Sequence, residues 1–271
     1  MNKKPIFRWT VGDVSDDGLD VLNSSIKAAL SLYKNNFNWY VCFNGVQYDK
    51  INSIVSKYSS VKIYKQEWKQ FPLPVAEPEK KSKKINSLLM SGSVWKFCPP
   101  RLDINVHEIV MDNDVVLHRH LEEIDQFLVS RDKVMISAGC SDFHGDFSIS
   151  RSLNSGFYGL PPNYDFSSKL KENWIKNPKQ FLNYADEQGL VCQTLEKEKH
   201  IIIPCVKLCL LPPNLLWRKN TNFHSKKEEK YGSLYSIDLF DKSYGLHFVC
   251  VNRIMHMRHN GWLFYLSRKL I

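Results

Sequence analysis

The apolar positions of the first 65 residues switch between two periods. Residues 7–11 predict a strand, and residues 19–33 then carry their apolar side chains at helical spacing behind the polar entry Ser15-Asp16-Asp17-Gly18. Residues 39–43 predict a second strand, 48–58 a second helix and 61–64 a third strand. This alternation predicts a parallel sheet with right-handed crossovers, whose ligands sit beyond the carboxyl ends of the strands.

Residues 66–84 break the rhythm with Pro72, Pro74, Pro78 and the run Lys80-Lys81-Ser82-Lys83-Lys84, which predicts a solvated loop that could also cover an anionic site. Residues 85–97 are compatible with a helix ending before Pro99-Pro100. Residues 108–111 predict a buried strand, 121–128 a short helix, 133–138 a strand, and 152–160 an extended segment. Helices are expected over 166–174 and 178–195, a strand over 201–205, and a polar, basic loop over 214–230. No repeat of fixed period is visible.

With 271 residues and 43% hydrophobic content, the chain can build one large α/β domain or two packed halves. Its 37 basic and 28 acidic residues give a net charge of +9, which favours nucleotide phosphates, anionic lipid or nucleic acid as partners. No apolar core of signal-peptide length follows Met1, so no secretion signal is expected. The most apolar stretch, residues 201–211, is interrupted by Pro204 and Lys207 and falls short of the ~20 residues a spanning helix needs. Seven cysteines (Cys42, Cys98, Cys140, Cys192, Cys205, Cys209, Cys250) without a CxxC pair predict free thiols in a reducing compartment, with cytoplasm as the default.

Candidate chemistry centres on Asp112-Asn113-Asp114, directly after the strand predicted over 108–111. Side chains two apart in an extended chain point the same way, so both carboxylates are expected to reach one hard cation, Mg²⁺ or Mn²⁺, able to bridge a diphosphate. The tripeptide is equally an ordinary turn sequence. Three later segments bear on the choice. His247, after Gly245-Leu246, offers a nitrogen ligand to Mn²⁺, and Arg253 offers a fixed charge and a fork of donors to a diphosphate. Asn154-Ser155-Gly156 reads either as a strand bulged at Gly156, or as a segment where Asn154 bonds a sugar hydroxyl and Gly156 lets the ring approach. Asp186, Glu187 and Gln188 are consecutive on a predicted helix and span about 200° of it, so at most two face a cleft, to hold sugar hydroxyls or to act as a base.

The run His107-Glu108-Ile109-Val110-Met111-Asp112-Asn113-Asp114-Val115-Val116 resembles the strand and DxD motif of nucleotide-sugar glycosyltransferases of the GT-A fold. The later Asn154-Ser155-Gly156, Asp186-Glu187-Gln188 and His247 with Arg253 follow the motif order of the glycogenin and bacterial lipopolysaccharide galactosyltransferase branch. The resemblance implies an α/β fold with a central, mostly parallel sheet flanked by helices, residues 1–117 forming the nucleotide-sugar half and 118–271 the acceptor half. It implies that Asp112, Asp114 and His247 bind Mn²⁺ (or Mg²⁺) and that Arg253 contacts the diphosphate. Asn154, Ser155 and Gly156 are then expected on the donor sugar, with Asp186, Glu187 and Gln188 as catalytic candidates. Thr10, Val11, Gly12 and Asn113 are expected on the nucleotide, and Lys96 and Arg101, which flank Pro99-Pro100, near it. The chain departs from the branch where Cys250 stands for a Gly, Ile254-Met255 for Pro-Trp, and Arg253 for Lys.

The implied activity is transfer of a hexose from a nucleotide-diphospho-sugar, UDP-hexose being favoured, to a glycan, glycolipid or protein acceptor; retention is the first expectation, and under inversion Asp186 or Glu187 becomes the candidate base. The basic, aromatic residues 255–271 read either as a segment packed against the domain or as one lying on an anionic membrane, the latter suiting a cytoplasmic protein working at the inner membrane face. Competing readings are weaker in the residues. Asp13, Asp16, Asp17 and Asp20 read as a helix cap rather than a calcium loop. His118, His120, His256 and His259 read as surface residues rather than zinc ligands. Dispersed basic residues with no recognition motif argue against nucleic acid. A sugar-1-phosphate nucleotidyltransferase needs a Gly-rich phosphate loop where this chain carries Asp13, Asp16 and Asp17. A non-catalytic nucleotide-binding or nucleic-acid-binding protein stays open at this level.

Overall fold

Strand alternation sends Phe7, Trp9 and Val11 to one face of a sheet and Arg8 and Thr10 to the other, and all five are buried. The computed structural model describes residues 3–74, 94–139, 144–176, 185–210 and 243–248. Its first third alternates as the sequence predicts: β1 (Ile6–Val11), α1 (Asp16–Tyr33), β2 (Asn38–Phe43), α2 (Tyr48–Val55) and β3 (Val61–Lys65). Ser15 caps α1, its hydroxyl accepting from Gly18 N at 3.4 Å, so the acidic stretch is a helix entry.

There follow β4 (Glu108–Asp112), β5 (Val115–Leu117), α3 (Glu122–Val129), β6 (Val134–Ala138), β7 (Leu153–Leu160), α4 (Phe166–Lys176), α5 (Asp186–Leu195), β8 (His200–Ile203), β9 (Leu208–Leu210) and β10 (Gly245–His247). Seven strands form one sheet in the order β3-β2-β1-β4-β7-β6-β8. Its pairings are parallel except at β7, which runs against both β4 and β6. The expected halves on either side of residue 117 share both sheets, because β4 of the first pairs directly with β7 of the second and β5 with β10.

A second sheet, β5-β10-β9, was not predicted. Its strands are three residues each, too short to show a period. Of the helix expected over 85–97, the described part is a 3₁₀ turn, Val94–Phe97, and residues 85–93 lie outside the described residues. So do 178–184 of the helix expected over 178–195, the loop 214–230, the tail 255–271, and Cys140 and Cys250. Cys42, Cys98, Cys192, Cys205 and Cys209 are free and buried. No described helix is long and apolar enough to cross a membrane.

Each face of the large sheet carries its own core. On one, Phe7, Trp9, Trp39, Val41, Ile109 and Met111 pack against Leu22, Ile26 and Ala29 of α1 and Ile51 of α2. Trp9 and Trp39 stack at 5.7 Å, a pair contributing about 0.5–1.5 kcal/mol beyond its area. On the other, Val110, Ile136 and Tyr158 pack against Phe97, Leu170 of α4 and Leu190 of α5.

Candidate active site

β2 and β3 extend the sheet on one side of β1 and β4 lies on the other, so the chain changes direction between β1 and β4. Such a switch point opens a crevice at the carboxyl ends of its strands. Thr10, in register with Asp112, stands on one lip, with Val11 and Gly12 following.

Asp112 ends β4, Asn113 and Asp114 form a turn, and β5 starts at Val115. The turn corrects one expectation: the carboxylates converge because the chain bends between two sheets, not because an extended strand aims them alike. Helix α1 holds this corner at two points. Asn113 Nδ2 donates to Gly18 O at 3.4 Å; Ser25 Oγ donates to Val115 O at 2.5 Å and accepts from Trp9 Nε1 at 2.8 Å. β5 then recruits the distant histidine. β10 pairs antiparallel to it with His247 opposite Val115, and Phe248 N donates to Asp114 O at 3.0 Å. His247 Nε2 thereby stands 3.4 Å from Asp114 Oδ1, and one ligand atom each from Asp112, Asp114 and His247 lie within 4.8 Å of one another.

Behind this cluster Lys96 is buried, with Nζ 3.2 Å from Asp112 Oδ1, 2.9 Å from Glu187 Oε1 and 3.3 Å from Ser155 Oγ. Burial alone would lower the Lys96 pKa; Asp112 and Glu187 more than offset it, and the pKa is raised. Burial likewise pushes the Glu187 carboxyl up, with Lys96 opposing. Lys96 is held in place by Arg8, an interior cation that sequence reading passed over. Arg8 donates to the carbonyls of Lys96 (3.3 Å), Pro99 (2.9 Å) and Pro100 (2.9 Å), and its Nε stands 3.0 Å from Glu108 Oε1. The available signal was a charged residue at a strand position flanked by apolar ones, Arg8 between Phe7 and Trp9 in β1, and Glu108 opening the apolar run Ile109-Val110-Met111 in β4.

β7 loses register with β6 between Ser137↔Asn154 and Ile136↔Tyr158, so Ser155, Gly156 and Phe157 have no counterparts on β6. Gly156 therefore does lie in a bulge. Asn154 stabilises it, Oδ1 accepting from Gly156 N at 2.8 Å while Nδ2 donates to Gln188 Oε1 at 2.8 Å. The three consecutive polar residues open α5, and they divide as helical geometry requires. Glu187 and Gln188 face the crevice through Lys96 and Asn154, whereas Asp186 turns aside, accepting from Asp146 N at 3.0 Å. Gly145, at φ +58°, lies so close to that carboxylate that a Cβ there would collide with it.

The structure thus brings Thr10, Lys96, Asp112, Asp114, Asn154, Ser155, Gly156, Glu187, Gln188 and His247 to one crevice. Asn113 belongs to its frame, with its amide spent on α1. Arg101 is not in the crevice. Its guanidinium donates to the carbonyls of Pro161 (2.7 Å), Tyr164 (2.9 Å) and Val106 (2.5 Å), near the end of β4 opposite Asp112. Those carbonyls need donors in a tight loop crossing, and an arginine in place for them cannot also reach a nucleotide. Arg253 lies outside the described residues.

The donor set suits a divalent cation. Asp112, Asp114, Glu187 and Lys96 at their formal charges leave a surplus of two negative charges. Two carboxylates and one imidazole match the oxygen-rich preference of Mg²⁺ and Mn²⁺ with the nitrogen that Mn²⁺ accepts. Adjacent ligands of an octahedral ion stand about 3 Å apart and opposite ones about 4.2 Å, close to the observed spread. No other such cluster occurs among the described residues.

No protein-family model matches the chain, and no curated protein matches it in sequence. Its structure is similar to those of several solved glycosyltransferases. An active-site variant of LgtC matches with TM-score 0.58 over 97% of this chain and 94% of that one, at 11% identity. Mouse xyloside xylosyltransferase 1, in its apo form, matches with TM-score 0.56 over 92% and 99%, at 12% identity. The apo form of the glycosyltransferase GlyE of Streptococcus pneumoniae matches with TM-score 0.58 over 99% of this chain and 62% of that one, at 10% identity. At such identities the likeness establishes the fold, which is the α/β GT-A fold.

Proposed function

We propose that this protein is a divalent-metal-dependent glycosyltransferase that moves a hexose from a nucleotide-diphospho-sugar, UDP-hexose first among candidates, to a glycan, glycolipid or protein acceptor. The observation that carries this reading is the meeting of Asp112, Asp114 and His247, from two parts of the chain far apart in sequence, at the carboxyl end of the central strand. LgtC, which shares the fold, was solved as a galactosyltransferase in complex with donor and acceptor sugar analogues. Asp112, Asp114 and His247 would hold Mn²⁺ or Mg²⁺ over the diphosphate, where the ion supplies Lewis-acid stabilisation of the leaving group. Thr10, Val11 and Gly12 border the nucleotide, and Arg253 adds a positive contact to the diphosphate. Asn154, Ser155 and Gln188 orient the sugar.

Retention at the anomeric carbon fits the crevice better than inversion. An inverting enzyme needs a carboxylate free to take the acceptor's proton. Glu187 is bound to Lys96, and Asp186 is turned to the backbone of Asp146. The acceptor is reached from the cytoplasm, at the inner membrane face. Net charge +9 and the basic, aromatic residues 255–271 support that placement.

The test is incubation with UDP- and GDP-sugars with and without Mn²⁺, following nucleotide release and the configuration of the product by NMR. Metal-dependent release from a sugar nucleotide, with retained configuration, is the expected result. Absence of release from every donor tried, with nucleotide bound equally well without metal, would leave a nucleotide-binding protein and overturn the assignment.

A further inference from the structure

Gly156 has no side chain, and the imidazole of His247 fills the space that one would take. A Cβ built on Gly156 overlaps His247 Cε1 and stands 2.7 Å from Nδ1, inside the 3.0 Å that real Cβ atoms respect. Neither side can retreat easily. Gly156 is fixed by its N–H bond to Asn154 Oδ1 and by the neighbouring pairing of Phe157 with Met111. His247 is buried, and its backbone is paired with Val115 on one side and Leu210 on the other. A side chain at position 156 would therefore have to turn the imidazole out of its place beside Asp114. The same occupancy bears on the sugar: a ring cannot use the space at Gly156 while the imidazole is in it.

We infer that Gly156 is a positioning residue for the cation site: the missing side chain in the β7 bulge is the seat of the His247 imidazole, not a gap for the donor sugar. The inference rests on the cation reading given above. It also assigns the bulge a purpose, since a Ser155-Gly156-Phe157 segment without counterparts on β6 lets the strand stand out from β6 and meet a residue of the second sheet.

A double-mutant cycle tests it, with Mn²⁺ binding in the presence of UDP followed by electron paramagnetic resonance or calorimetry, so that no turnover is needed. Gly156→Ala should weaken Mn²⁺ binding by ~10–100-fold, the loss expected when a ligand's support is removed. In a His247→Ala background the same change should cost nothing further. Melting temperature supplies a second readout: Gly156→Ala should lower it, and adding His247→Ala should restore it by removing the collision. If Gly156→Ala alone does not fold, folding of the double variant supports the inference, and failure of both overturns it. A Gly156→Ala protein that binds Mn²⁺ like wild type while its KM for the sugar nucleotide rises also overturns it, in favour of the sugar. Equal Mn²⁺ binding by wild type and His247→Ala brings down the cation reading itself, an outcome distinct from those that refute the role of Gly156 alone.

Discussion

Replacing Lys96 by Met removes the cation between Glu187 and Asp112 while keeping most of the side-chain volume. At an effective dielectric of ~20, the attractions at 2.9 Å and 3.2 Å amount to about 6 and 5 kcal/mol. Desolvation of the buried ions, several kcal/mol each, cancels much of this. The cost of the variant arises from what is left behind. Asp112, with a side chain 25% exposed, can take up water, but Glu187 is buried, and its Oε2 has no hydrogen-bond partner. Stranding one member of a buried pair costs roughly 3–5 kcal/mol, so Lys96→Met should lose about that much stability in urea titration. Lys96→Met/Glu187→Gln should recover most of it, because the orphaned charge is gone. Mn²⁺ binding should persist in both, since Asp112 no longer shares its oxygens with an ammonium. A single variant within about 1 kcal/mol of wild type, or a double variant no more stable than the single, would refute this account of Lys96.

Glu108→Gln strips Arg8 of its buried carboxylate; stability should fall by ~3 kcal/mol or more, with kcat falling too because Arg8 anchors the backbone of Lys96, and urea titration with steady-state kinetics would check both. Asp186→Ala should cost ~0.5–1.5 kcal/mol through loss of the hydrogen bond to the exposed Asp146 and leave the pH profile of kcat unchanged, whereas loss of a basic limb would identify Asp186 as the base. Burial holds the His107 imidazole below its ordinary 6.5, so the folded chain binds fewer protons there than the unfolded chain. Its contribution is present above pH 6.5 and lost as pH falls below that toward the folded value; His107→Gln should flatten this part of a melting curve series between pH 5 and 7.5, and parallel series would contradict it.

The strands and helices that surround the crevice were legible because each buries enough residues to show a period. The β10 strand was not, as Gly245-Leu246-His247 is too short to repeat even the two-residue alternation of a strand. Even so, His247 could be singled out by chemistry and motif order before its ladder to β5 was known. For Asp112 and Asp114 the sequence posed turn against metal site, and the two are compatible, since it is the turn that brings the carboxylates together. The hidden part was the support: Arg8 and Glu108 lie 100 positions apart and meet only because β1 pairs with β4. Arg101 misled for the same reason, its distance from the crevice being fixed by which end of β4 its loop returns to.

The most direct measurement is the affinity for UDP with and without Mn²⁺, by calorimetry, for wild type and Asp114→Ala, with circular dichroism confirming that both are folded. The account predicts that Mn²⁺ tightens UDP binding to the wild type and has no effect on Asp114→Ala. Equal UDP affinity with and without Mn²⁺ in both proteins would contradict it.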